Sequence, residues 1–137
     1  MIPKPHHDRL ETYVHQLQDL VADLWYPSET DAPLEVLVWV LPELDRAGLS
    51  QQLGVSPAAV KEQSADRFFS PILANPVYRT AQGKNLAQGY RRLQDLINRN
   101  LANLHSYRVG KVEVELYLVG RHPSGQYVAL HTSLVET

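Results

Sequence analysis

Apolar residues recur at helical spacing from Leu10 through Val14, Leu17, Val21 and Leu24, so one face of this first segment is built to be buried. Asp8 followed by Glu11 supplies a start signal, and Pro27 is the expected stop. The period then changes. "LEVLVWVL", Leu34 to Leu41, is apolar on both parities and rich in β-branched residues, which predicts a strand covered on both faces and central in its sheet. Asp45 to Leu53 reads as a short helix closed by Gly54, and "AAVKEQ" as a short strand. "DRFFS", Asp66 to Ser70, opens a stretch expected to be irregular, because Pro71 and Pro76 interrupt a helix.

A longer helix is predicted through "NLAQGYRRLQDLINRNLANL", with Leu86, Tyr90, Leu93, Ile97, Leu101 and Leu104 on its apolar face and Arg91, Arg92, Asp95 and Arg99 mostly elsewhere. The strongest pattern comes last. "KVEVELYLVG" alternates Val112, Val114, Leu116 and Leu118 against Glu113, Glu115 and Tyr117; "RHPSGQ" supplies turn residues and "YVALHTSLV" returns. Helix, strand, mixed middle, helix and C-terminal β-hairpin together predict an α+β domain, with helices packed on a mainly antiparallel sheet.

Length keeps this to a single domain over 1–137, large enough to bury a core without staples. The absence of cysteine removes disulfides, thiolate metal sites and a cysteine nucleophile. The apolar runs are too short to span a bilayer, so no membrane is expected. "MIPKPHHDRL" lacks the look of a signal or transit peptide, which predicts a cytoplasmic protein. With 13 Lys and Arg against 15 Asp and Glu, the chain has no long-range attraction for a polyanion, and direct nucleic-acid binding is not expected.

Enzymatic signatures are missing: there is no G-x-S-x-G, P-loop or G-x-G-x-x-G. The His6-His7 pair lacks a defined third ligand on a terminus expected to fray. His15, His105, His122 and His131 show no ligand spacing and read as surface or turn residues. Glu113 and Glu115 share a strand face, for which solvation is a commoner reason than catalysis. "LSQQLGVSPAAVKEQ" has the outline of a helix-turn-helix, but its second half offers only Lys61 and Glu62, with no arginine to hold phosphate.

"YPSETDAPLEV" places Ser28, Glu29, Thr30 and Asp31 between Pro27 and Pro33. Prolines stiffen this connection, so its carboxylates lose less entropy if they fit a partner; the plain alternative is that Ser28 or Asp31 satisfies nearby backbone. "SETDAPLEVLVW", "DRFFS" and above all "YRVGKVEVELYLVGRHPSGQYVALHTSLVET" resemble the nuclease A inhibitor family, whose members block a sugar-non-specific ββα-metal endonuclease. The resemblance is strongest from Tyr107 to the end, runs without a gap from Phe68, and is poor between Trp39 and Asp66.

The resemblance implies an αβα sandwich and a stoichiometric inhibitor; separately, no cofactor is expected, and the free chain is expected to be a monomer. In the family a loop glutamate mimics the scissile phosphate and the C-terminal threonine ligates the nuclease-bound Mg²⁺; these positions correspond to Glu29 and Thr137, with Ser28, Asp31 and Glu136 beside them. A hard cation with open positions takes such oxygen ligands. The family's second contact pairs an acid with a tryptophan, where this chain has Val77 and Tyr78. Tyr78 retains an aromatic surface and Val77 offers no charge, so an interaction module with a changed partner stands as the alternative.

Overall fold

The computed structural model describes residues 6–27, 31–81 and 83–135. In chain order it contains helix α1 (His6–Val21), strands β1 (Trp25–Tyr26), β2 (Ala32–Pro33) and β3 (Glu35–Trp39), helix α2 (Arg46–Leu53), strand β4 (Val60–Gln63), and helices α3 (Asp66–Leu73) and α4 (Lys84–Asn100). Strands β5 (Ala102–Val109), β6 (Glu113–Arg121) and β7 (Tyr127–Val135) follow. Short 3-10 turns cover Pro57–Ala59 and Pro76–Arg79. The main sheet is antiparallel in the order β3-β7-β6-β5-β4, while β1 and β2 form a small separate ribbon.

Alternation along the strands sends side chains to two cores. On one face Val114, Leu116, Leu118, Val128, Leu130 and Leu134 meet Leu17 of α1, Phe68 and Ile72 of α3, and Tyr90, Leu93 and Ile97 of α4. On the other, Trp39, Tyr107, Tyr117, Val119, Tyr127 and Ala129 form a smaller core with Leu49 of α2 and Val60 of β4. Helices therefore cover both faces of the sheet, which is the αβα sandwich. Asp45 caps α2 by accepting from the Gly48 amide at 2.6 Å, and Gly54 closes it in the left-handed region at φ 69°.

Several expectations need correction. β3 is an edge strand, and it is shorter than the apolar run suggested. Leu34 and Val36 pack on the three-helix side and Leu37 and Trp39 on the other, so the mixed pattern records a sheet covered on both faces without giving strand order. α1 is already helical at His6 and stops at Val21, well before Pro27, because Trp25 and Tyr26 leave to pair with Pro33 and Ala32. "DRFFS" is regular helix: Phe68, Phe69 and Ile72 are buried, and Pro71 is tolerated on the exposed side. The Ala74 amide still donates to the Ser70 carbonyl at 2.9 Å, so the last turn closes around the proline.

α4 stops at Asn100, although Leu101 and Leu104 continue its spacing. The Asn100 side-chain amide donates back to the Leu96 carbonyl at 2.8 Å, Leu101 is extended, and Asn103 takes a left-handed φ of 53° inside a bulge between Ala102 and His105. What read as the end of a helix is thus the start of β5. The helix-turn-helix outline is overturned by β4, which makes its second half a strand paired with β5. Val112 lies outside β6, and Tyr117 is buried in the smaller core instead of joining a solvated face.

Candidate functional site

The β1–β2 ribbon carries the connection that holds the acidic loop, and its base is fastened from behind. Tyr26 is buried and donates its hydroxyl to the Phe68 carbonyl at 2.8 Å, while Tyr90 donates to the Trp25 carbonyl at 2.8 Å. The Tyr26 ring lies 5.3 Å from that of Phe68 and 6.3 Å from that of Tyr90. Burial, with Tyr26 and Tyr78 adding to it, pushes the Tyr90 phenol far up, so it stays a proton donor. The ribbon base is consequently anchored to α3 and α4 by two buried hydroxyls.

On its other side the ribbon meets the C-terminal strand. The buried Thr132 hydroxyl of β7 donates to the Pro33 carbonyl at 2.9 Å, and Glu35 of β3 stands opposite His131 of β7. β7 is described to Val135, which pairs with Glu113. The end of β7 and the return of the loop into β2 therefore lie side by side at one end of the sheet. A shallow cavity of about 200 Å³ lies there, lined by Ala32, Pro33, Leu34, Glu35 and residues 131–133.

Of the candidates read from the sequence, Ser28, Glu29, Glu136 and Thr137 lie outside the described residues. Asp31 is exposed where the loop re-enters β2. Val77 and Tyr78 sit on the 3-10 turn after α3, capped by the Asn75 carboxamide oxygen, which accepts from the Val77 amide at 3.1 Å. Val77 is 58% exposed; Tyr78 is half-buried against the larger core. Gly83 makes this seat possible, because a Cβ there would stand 2.6 Å from the Tyr78 Cα. Trp25, at 42% exposure, adds an aromatic surface beside the acidic loop that the sequence reading did not single out.

The structure also assembles a polar cluster that spacing alone did not reveal. His131 is no ordinary surface histidine: its Nδ1 faces Glu35 Oε1 at 2.5 Å and its Nε2 faces Glu115 Oε2 at 2.5 Å. Ser133 donates to the same Glu115 oxygen at 2.6 Å, and the Tyr117 ring stacks on the imidazole at 4.7 Å. Burial acts to raise the Glu115 carboxyl, but the Ser133 and His131 hydrogen bonds and the His131 charge outweigh it and hold the group below its usual range. Burial, reinforced by Glu115 and Glu35, pushes the Tyr117 phenol up to about 12. Glu115 is thus partnered with β7 and does not pair with Glu113.

Alternation in the C-terminal hairpin was the signal that places Glu115, His131 and Ser133 on one face; nothing local announces Glu35. No set of three His, Cys, Asp or Glu side chains among the described residues converges as a metal site. The two carboxylates here take opposite nitrogens of one ring, an arrangement that binds protons rather than chelating a cation. His122 lies in the β6–β7 turn, consistent with the surface-or-turn reading, but it is buried there: it accepts from the Ser124 amide at 3.1 Å and stacks on Tyr13 at 5.5 Å. It lies at the turn of the hairpin, whereas His131 is at the middle of β7, and it borders cavities of about 360 and 350 Å³.

A sequence model of the nuclease A inhibitor-like proteins matches residues 11–137, nearly the whole chain. The chain belongs to the nuclease A inhibitor-like family. No curated protein sequence matches it. Membership implies a nuclease-inhibitor role and a nuclease as partner, and it fits a protein that is not itself an enzyme. Within this nuclease A inhibitor-like domain, the ribbon and the end of β7 are held next to each other by the Thr132 hydroxyl.

Proposed function

We propose that the chain is a stoichiometric inhibitor of a metal-dependent, sugar-non-specific nuclease, with Glu29 standing in for the scissile phosphate and Thr137 ligating the nuclease-bound Mg²⁺. The observation that carries this reading is the contact between Thr132 and Pro33, which holds the C-terminal strand against the ribbon bearing the acidic loop. Two segments distant in sequence leave the same end of the sheet, so one partner cleft can receive both. A carboxylate offers a phosphate's charge without a bond the nuclease can break, and a terminal hydroxyl with its carboxylate suits a hard cation. Ordered strand as far as Val135 reduces the entropy lost when the last residues bind.

The test is titration of the untagged protein against a ββα-metal nuclease in Mg²⁺, beside a version ending at Glu136. Stoichiometric inhibition that the truncation abolishes, at unchanged melting temperature, supports the metal-ligand role. Equal inhibition by both overturns that role. A second reading, an inhibitor-like module with another partner, is favoured by one feature: Val77 presents an exposed apolar surface where the resemblance leads one to expect an acid. No inhibition by either version supports this second reading and directs the search to partner capture.

A further inference from the structure

Carboxylates only accept hydrogen bonds, and His131 has one on each ring nitrogen. Both contacts are hydrogen bonds only when both nitrogens carry protons. A neutral ring keeps one N–H and turns a lone pair toward the other carboxylate, so one of the two contacts is lost on deprotonation. The cluster crosses three strands: Glu35 belongs to β3, His131 and Ser133 to β7, and Glu115 to β6. Among the described residues, the charged or titratable groups facing the ring are Glu35 from β3 and Glu115 with the Tyr117 phenol from β6; β2 brings Ala32 and Pro33 to this cavity.

The ring is held in place as well as bonded. Tyr117 stacks beneath it and is itself packed on Trp39, with ring centres 5.6 Å apart, so the imidazole has a fixed plane from which to reach both carboxylates. The His131 side chain is 19% exposed, and Glu35 and Glu115 are about half exposed at 58% and 44%. Water and protons therefore reach the cluster, and the stack on Tyr117 sets the plane of the ring.

We infer that Glu35, His131 and Glu115 form a proton-dependent clip that positions the two inhibitory segments, locking the strand that leads to Thr137 against the strand that follows the acidic loop. This rests on the inhibitor reading for its functional consequence; the clip itself is a property of the free protein. His131 is here a positioning residue that touches neither nuclease nor metal. Protonation closes the clip on both sides and presents loop and C-terminus in one fixed relation. Deprotonation frees one side and lets the end of β7 move relative to β3. Inhibition is therefore weaker with the ring neutral than with both nitrogens protonated.

Two measurements test this separately. In the free protein, NMR follows the His131 ring while hydrogen exchange, corrected for its intrinsic pH dependence, reports protection of the Thr132–Val135 amides against those of Tyr117–Val119. Protection at the end of β7 should fall as the ring deprotonates and stay level in His131→Asn. Glu35→Gln provides a second, milder variant: its amide can donate to a bare Nδ1 while Nε2–H still donates to Glu115, so protection should no longer follow the ring. Unchanged wild-type protection across the ring's titration overturns the clip, whatever the nuclease assay shows.

The second measurement is the inhibition constant against a ββα-metal nuclease at pH 5.5 and 8.5, expressed as the ratio of Glu35→Gln to wild type so that the nuclease's own pH dependence cancels. Loss of one charge-assisted hydrogen bond predicts that the wild type loses about tenfold more affinity than the variant over this range. A ratio independent of pH overturns the positioning role. If the wild type does not inhibit at either pH, the inhibitor reading fails and the positioning role with it, while the exchange experiment still decides whether the clip exists.

Discussion

Replacing Thr132 by valine removes the hydroxyl that ties β7 to the ribbon and leaves shape and β-branching almost unchanged. Thr132 is 1% exposed, and its Oγ1 donates to the Pro33 carbonyl at 2.9 Å, so the variant loses one buried hydrogen bond and leaves a carbonyl short of a partner. A neutral hydrogen bond contributes about 1 kcal/mol net, and the stranded acceptor raises the cost to about 2 kcal/mol. For a domain of this size that corresponds to a fall in melting temperature of about 4–8 °C. Thr132→Ser is the control, because it keeps the hydroxyl and gives up a methyl group worth about 0.8 kcal/mol. Urea unfolding monitored by tryptophan fluorescence gives the stability difference, and nuclease titration shows whether loosening the ribbon from β7 also weakens inhibition. Thr132→Val stability within about 0.3 kcal/mol of wild type, well below the net value of one hydrogen bond, would refute the view that this contact fixes the ribbon. A larger loss in the serine variant than in the valine one would do the same, by assigning the cost to packing.

Phe68 is completely buried, packs on Tyr26 and Phe69, and offers its carbonyl to the Tyr26 hydroxyl. Phe68→Ala should cost about 3–5 kcal/mol in chemical denaturation, and a loss below 1 kcal/mol would contradict the packing described. At acid pH, Glu115 adds a stability term of predictable sign. Its folded-state carboxyl lies below the unfolded value, so the contribution is present above the ordinary glutamate range and is lost as pH falls through the folded value. Glu115→Gln should accordingly narrow the stability difference between about pH 6 and pH 3, where glutamates titrate; an unaltered acid slope would show that the Ser133 and His131 bonds do not favour the charged form.

How much was legible depended on whether a signal was local. Asp45 and Gly54 announced both ends of α2, and the alternation around "RHPSGQ" announced the C-terminal hairpin. β5 was hidden because Leu101 and Leu104 fall on the apolar stripe of α4, and the break depends on a left-handed Asn103 that carries no warning in composition. Pro71 looked like a breaker because its ring was weighed without the three buried apolar residues that hold α3 in place. The rank of β3 in the sheet was beyond pattern reading, since edge and centre look alike when layers cover both faces. Glu29 and Thr137 came from family resemblance, not from local chemistry. The Glu35 contact to His131 spans 96 residues and joins two strands, so only tertiary structure reveals it.

The sheet also acts as a partition. Residues 40–64 supply Leu41, Leu44, Leu49, Leu53, Val55, Ala59 and Val60 to the smaller core, and none of them reaches the larger one. This is the stretch where the sequence resemblance to the nuclease A inhibitor family is poor. A substitution in that outer layer meets the far side of the sheet, away from the packing behind Tyr26, Phe68 and Tyr90. The architecture therefore lets one layer of the protein drift while the opposite layer, which anchors the ribbon, keeps its shape.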